Sequence, residues 1–99
     1  MIKVYIKNKK IIITGHALYD EYGRDIVCAA ASSIVITSIN GALKVENNSL
    51  VYNEEDSKLT IDIKSNNKNV LLIIENMIEM LKELSLTYKK NIKIIEEEE

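Results

Sequence analysis

The sequence predicts an α+β fold: one antiparallel or mixed β-sheet with two α-helices, in the order ββ-α-ββ(β)-α-β. Three observations carry this. Short runs that alternate apolar and polar residues, or string isoleucines together, recur at both ends and in the middle of the chain. Two longer apolar stretches, 26–39 and 70–87, have helical length and spacing. Most strand-like runs are joined by short turns, which suits a sheet with helices packed on it.

Taken in order, Ile2, Val4 and Ile6 alternate with Lys3 and Tyr5, the pattern of a half-buried strand. Lys7-Asn8-Lys9 is a turn, and Lys10 to Thr14 is a second strand whose three consecutive isoleucines suggest burial on both faces. The two form a hairpin that delivers Gly15 and His16 at its far end. Leu18 to Arg24 is a polar connection. Asp25 is an N-cap signal, and the helix it opens is expected to stop at Asn40-Gly41. Ser32 to Ile39 is rich in β-branched residues and tolerates a strand, but the alanines, the cap and the Asn-Gly stop decide for helix. This helix is apolar on nearly every side, which implies burial.

Leu43 to Glu46 and Leu50 to Tyr52 read as short strands around Asn47-Asn48-Ser49, and Asn53 to Lys58 as a charged turn. Leu59, Ile61 and Ile63 alternate with Thr60, Asp62 and Lys64, a further strand. Ser65 to Asn69 is loop and cap sequence. Val70, Ile74, Met77, Leu81 and Leu84 form the apolar stripe of the second helix, with Met77 and Met80 as core fillers. Ile92 to Ile95 is the last strand, and Glu96 to Glu99 a solvated acidic tail.

The 99 residues make one domain, 1–99, with an aliphatic core, because the chain has no proline, tryptophan or phenylalanine. A net charge of −2 argues against direct nucleic-acid binding. A single cysteine excludes an intrachain disulfide and fits the reducing cytoplasm. No signal-peptide pattern opens the chain, and the apolar runs are too short for a bilayer, so no membrane partner is expected. No glycine-rich phosphate loop or metal-ligand cluster is visible, so neither cofactor nor metal is expected.

The chemistry-bearing residues gather in one stretch. His16 and Cys28 are the sole histidine and cysteine, twelve residues apart, and the segment between them fits neither strand nor helix. A thiolate is a nucleophile, and a neighbouring imidazole can hold the proton it gives up. With Asp25 as cap, Cys28 falls in the first helical turn, where the helix dipole favours a thiolate. Gly15 lets the backbone turn sharply beside His16. The intervening loop, with Tyr19, Tyr22 and Gly23, joins the two and is a candidate substrate-binding gate with few apolar anchors. The bland alternative is weighty: a cysteine beside alanines is usually inert packing, and a lone histidine is usually structural.

Gly15-His16-Ala17, then Gly23, then Asp25-Ile26-Val27-Cys28-Ala29-Ala30 and Ser32, with Thr37 and Asn40-Gly41 beyond, resemble the signature of the Prp family of ribosomal-processing cysteine proteases. That signature has the form G-H-A, a short glycine-containing loop, then D-I-V-C-A-A-x-S. The resemblance covers a whole domain of about this length. It implies the same α+β fold and a cysteine endopeptidase with His16 and Cys28 as catalytic residues and Asp25 and Ser32 in support. It also implies a homodimer, and as substrate the N-terminal extension of ribosomal protein twenty-seven of the large subunit. The apolar first helix is a second reason to expect a homodimer.

Two readings from other classes compete. A non-catalytic ribosome-associated adaptor would use Cys28 only as packing and would tolerate its loss. A redox-sensing thiol protein would use the same cysteine without hydrolysis, but would need a resolving cysteine that this chain lacks.

Overall fold

The structure is a computed structural model that describes residues 1–97. Its elements are β1 (Ile2–Lys7), β2 (Lys10–Thr14), α1 (Ile26–Val45), β3 (Leu50–Glu55), β4 (Lys58–Ile63), α2 (Lys68–Thr87) and β5 (Ile92–Glu97). The five strands form one mixed sheet in the order β3-β4-β2-β1-β5. β1 pairs antiparallel with β2, β2 with β4 and β4 with β3, while β5 lies parallel to β1. The expected class and element order are therefore met, with a mixed sheet because a parallel edge strand needs a long crossover, here α2.

Period two decides which side of the sheet is covered. Ile2 and Val4 of β1, Ile11 of β2, Ile61 and Ile63 of β4 and Ile92 of β5 are buried in one core with residues of both helices. The alternate positions Lys3, Lys7, Lys10 and Lys58 are exposed. With the helices on one face only, Ile12 and Ile13 are half-buried and only Ile11 is fully buried, so burial of the isoleucine run on both faces is not observed.

α1 contributes Val27, Ala31, Val35, Ile39 and Ala42 to the core and packs along α2. It runs straight through Asn40-Gly41, so the expected stop and the strand Leu43–Glu46 are both corrected. Gly41 lies against Ile73 of α2, where a Cβ would sit 3.8 Å from Cδ1, so inter-helix packing continues past the local stop signal. That burial outweighs a glycine's helix cost of about 1 kcal/mol. The helix ends one turn later, where the Glu46 amide and the buried Ser49 hydroxyl both donate to the Ala42 carbonyl. The burial is one-sided, since Ile26 and Ile36 are exposed on α1 and Leu72 and Met80 on α2. By length and composition alone α1 is apolar enough to cross a bilayer, contrary to expectation. Its buried stripe is instead used within this fold.

The remaining differences are of extent. β3 continues to Glu55, because its register with β4 pairs Asn53, Glu54 and Glu55 with Thr60, Leu59 and Lys58 and leaves a two-residue turn at Asp56-Ser57. α2 starts at Lys68, with the Asn67 side chain accepting from the Asn69 amide at 2.8 Å. Glu96 and Glu97 of the expected acidic tail belong to β5, and Glu98 and Glu99 lie outside the described residues.

Candidate active site

One end of the sheet collects the end of β2, the β3–β4 turn and the N-terminus of α1. Thr14 pairs with Lys58, so the residues just past β2 lie against the Asp56-Ser57 turn. Gly15 follows with φ +83°, and its amide donates to the Ser57 carbonyl at 3.2 Å. A Cβ at Gly15 would collide with the Met1 carbonyl oxygen. Both the backbone angle and the close approach demand glycine there.

His16 is exposed and its Nε2 pairs with Ser57 Oγ at 3.2 Å. Ala17 is fully buried and anchors the chain: its amide donates to Cys28 Sγ at 3.3 Å, and its carbonyl accepts from Asn91 Nδ2 at 2.9 Å. Cys28 is half-buried and sits, as expected, at the third helical position. The imidazole and the thiol thus face the same end of the sheet, but no hydrogen bond joins them. The ring is turned to Ser57, and the sulfur to the Ala17 amide.

Asp25 does more than cap. One carboxylate oxygen accepts from the Val27 and Cys28 amides at 3.0 and 2.9 Å, and the other from Tyr19 and Asp20 at 2.9 and 3.3 Å. Desolvation is the largest single influence on this carboxyl and acts to raise its pKa. The four amides, led by Cys28, together outweigh it and hold the pKa below the ordinary value. Because the Val27 and Cys28 amides are committed to Asp25, these helix-start donors are not free to receive an oxyanion as the chain stands.

The loop is better anchored than its polarity suggests. Asp25 fixes Tyr19 and Asp20, and the Tyr19 ring meets Tyr88 edge to face at 5.4 Å. Its outer part is a turn closed by the Arg24 amide donating to the Glu21 carbonyl at 2.9 Å, in which Tyr22 is fully exposed and a Cβ added at Gly23, with φ +87°, would meet nothing. Ser32, one turn past Cys28, is exposed and bonds to neither His16 nor Cys28. A groove of about 850 Å³ runs over this end of the molecule, lined by His16, Cys28, Ser32, Ser57, Leu18, Tyr22 and Glu54 among others. Its size and mixed lining suit a peptide. Among the described residues no cluster of side chains could hold a metal ion. Sequence reasoning missed Ser57 and Asn91, which reach the site from 41 and 74 residues away, so no local signal marks them.

A half-buried thiol in the first turn of a helix, with an imidazole lining the same peptide-sized groove, is equipment for thiol-mediated peptide hydrolysis, and similarity to known proteins makes the class definite: the chain is a cysteine protease. It belongs to the Prp family, whose model, described as cysteine protease Prp, matches residues 1–93. The chain is similar to the ribosomal processing cysteine protease Prp of Staphylococcus aureus, at 33% identity over 87 residues covering 85% of this chain and 82% of the relative. It is also similar to that of Mycoplasma pneumoniae, at 33% over 91 residues covering 89% and 87%. The crystal structure of the essential S. aureus protease with a covalently linked product peptide superposes with a TM-score of 0.92 at 31% identity, covering 98% of this chain and all of the other. The same protease with a substrate peptide gives 0.84 at 30% identity, with the same coverage.

Proposed function

We propose that this protease is an endopeptidase that removes the N-terminal extension of ribosomal protein twenty-seven of the large subunit, with Cys28 as nucleophile and His16 as general base and acid. The observation that carries the chemistry is the first-turn position of Cys28, opening into the groove that His16 also lines. The names of the relatives, ribosomal processing proteases, support the substrate class, and the product peptide linked covalently to the S. aureus enzyme supports a covalent route.

Cys28 Sγ attacks the scissile carbonyl carbon while His16 takes the thiol proton. The tetrahedral adduct collapses as the carbon–nitrogen bond breaks, and the imidazolium returns its proton to the leaving amine. Water, deprotonated by His16, then attacks the thioester, the carbon–sulfur bond breaks, and the acid leaves as Cys28 regains its proton. His16 and the Cys28 sulfur, which no hydrogen bond joins here, must close on each other for the first step. Peptide filling the groove beneath the Tyr22 segment supplies the energy for that closure.

The test is incubation with the organism's own ribosomal protein, followed by intact-mass measurement. The expected result is a single N-terminal truncation; a protein left at full mass by an enzyme that cleaves other peptides would remove this substrate. The reading also places the enzyme in the cytoplasm, where its one thiol stays reduced.

The protein works as a homodimer in this reading. Ile26 and Ile36 on α1, with Leu72 and Met80 on α2, leave apolar surface that this fold does not cover. Sedimentation at micromolar concentration is expected to give twice the 11.3 kDa chain mass. A monomer would overturn the dimer.

A further inference from the structure

We infer that Ser57 is a positioning residue for the reaction: its hydroxyl accepts the Nε2–H of His16, fixes the ring's tautomer, and leaves Nδ1 as the nitrogen that takes the thiol proton. The inference rests on the Cys28–His16 reading and deepens it.

The contact joins the β3–β4 turn to the residues just past β2. Ser57 occupies the second place of a two-residue turn closed by the Glu55–Lys58 pair, and both turn residues lie in the left-handed region, with φ +49° at Asp56 and +60° at Ser57. Such turns ordinarily take glycine at the second place, because a side chain there strains the backbone. This chain keeps a serine, and the serine faces the histidine at 3.2 Å. The Ser57 carbonyl also accepts from the Gly15 amide at 3.2 Å, so main chain holds the turn against the residue that precedes His16. Strain retained where a side chain meets a reactive group is the pattern of a functional position.

The chemistry then fixes the direction of the bond. A hydroxyl can donate or accept, and a neutral imidazole carries one N–H and one lone pair. If Ser57 donated to Nε2, the proton would sit on Nδ1, and neither nitrogen could accept from the thiol. If Ser57 accepts from Nε2–H, the Nδ1 lone pair is free. When Nδ1 then takes the proton, the imidazolium keeps the same bond to Ser57, now charge-assisted, so nothing on that side needs to rearrange. A third group that holds the base by its other nitrogen is what a nucleophile–base pair generally requires.

The turn geometry also supplies a clean variant. Ser57→Gly removes the hydroxyl and relieves the backbone, so it is expected to keep or raise the melting temperature. The chain has one histidine, so the nitrogen-15 NMR signals of a labelled imidazole assign themselves. The wild type is expected to show the Nε2–H tautomer without substrate, and Ser57→Gly a mixture. Cleavage of an extended peptide is expected to fall about tenfold, in kcat with KM unchanged, the loss typical of one hydrogen bond. Ser57→Asn, which tolerates the left-handed region and offers a carbonyl oxygen, is expected to restore both the tautomer and kcat. An unchanged tautomer, or wild-type kcat in Ser57→Gly, overturns the assignment. His16→Ala is the separate control. Wild-type cleavage by that variant removes the Cys28–His16 reading and any catalytic role for Ser57 with it, whereas a failed tautomer test leaves the pair standing.

Discussion

Replacing Cys28 with alanine is expected to lower kcat on an extended peptide by about four orders of magnitude or more, the scale on which removal of a covalent nucleophile is felt. The fold is expected to survive. Cys28 is half-buried beside Ala29, Ala30 and Ala31, and alanine is the better helix former at that position. The one bond lost is that of the Ala17 amide to the sulfur, worth about 1 kcal/mol, which the gain in helix propensity partly returns. Peptide turnover and thermal unfolding measured on the same sample separate the two effects. A variant that unfolds at the wild-type temperature, still binds peptide and no longer cleaves it is the outcome expected of a nucleophile. Cleavage at the wild-type rate would make Cys28 packing and place the nucleophile elsewhere.

That experiment turns on a residue the sequence singles out without help from the fold. Cys28 is legible because a cap signal three residues earlier fixes its helical position, and a capping carboxylate acts locally. The strands were legible for the same reason: Ile2, Val4 and Ile6, or Leu59, Ile61 and Ile63, carry their own period. What failed was wherever a distant contact overrode a local signal. Asn40-Gly41 reads as a stop, but Ile73 on the opposite helix packs at Gly41 and the helix goes on to Val45. Asn53 to Glu55 reads as a charged turn, but the register with β4 extends the strand. The site follows the same rule. Gly15, His16, Asp25 and Cys28 lie in one stretch, whereas Ser57 and Asn91 reach it only through the sheet.

Asp25 joins the two halves of that stretch, and Asp25→Ala is expected to damage both. Its carboxylate holds the Val27 and Cys28 amides with one oxygen and the Tyr19 and Asp20 amides with the other. Alanine frees all four. The first turn of α1 then frays beneath Cys28, and the segment that separates it from His16 loses its clamp. The melting temperature is expected to fall by about 5 °C or more, as for loss of a strong cap in a chain of this size. Peptide turnover is expected to fall further than that loss of stability explains. The same carboxylate sets an acid dependence. Its folded pKa lies below the ordinary 3.8, so the ionised form is the one the fold favours. The stability it contributes is fully present above that ordinary value and is lost as pH falls through the folded value. Wild type is therefore expected to lose stability below about pH 4 more steeply than Asp25→Ala, which lacks this contribution from the start. Asp25→Asn separates the cap from the clamp. Its single carbonyl oxygen can serve the Val27 and Cys28 amides, but its NH2 group then faces the Tyr19 and Asp20 amides, donor against donor. That variant is expected to recover the melting temperature and not the turnover, with faster hydrogen exchange at Tyr19 and Asp20. Recovery of both by asparagine would reduce Asp25 to a helix cap and leave the loop to be held by Ala17 and Tyr19 alone.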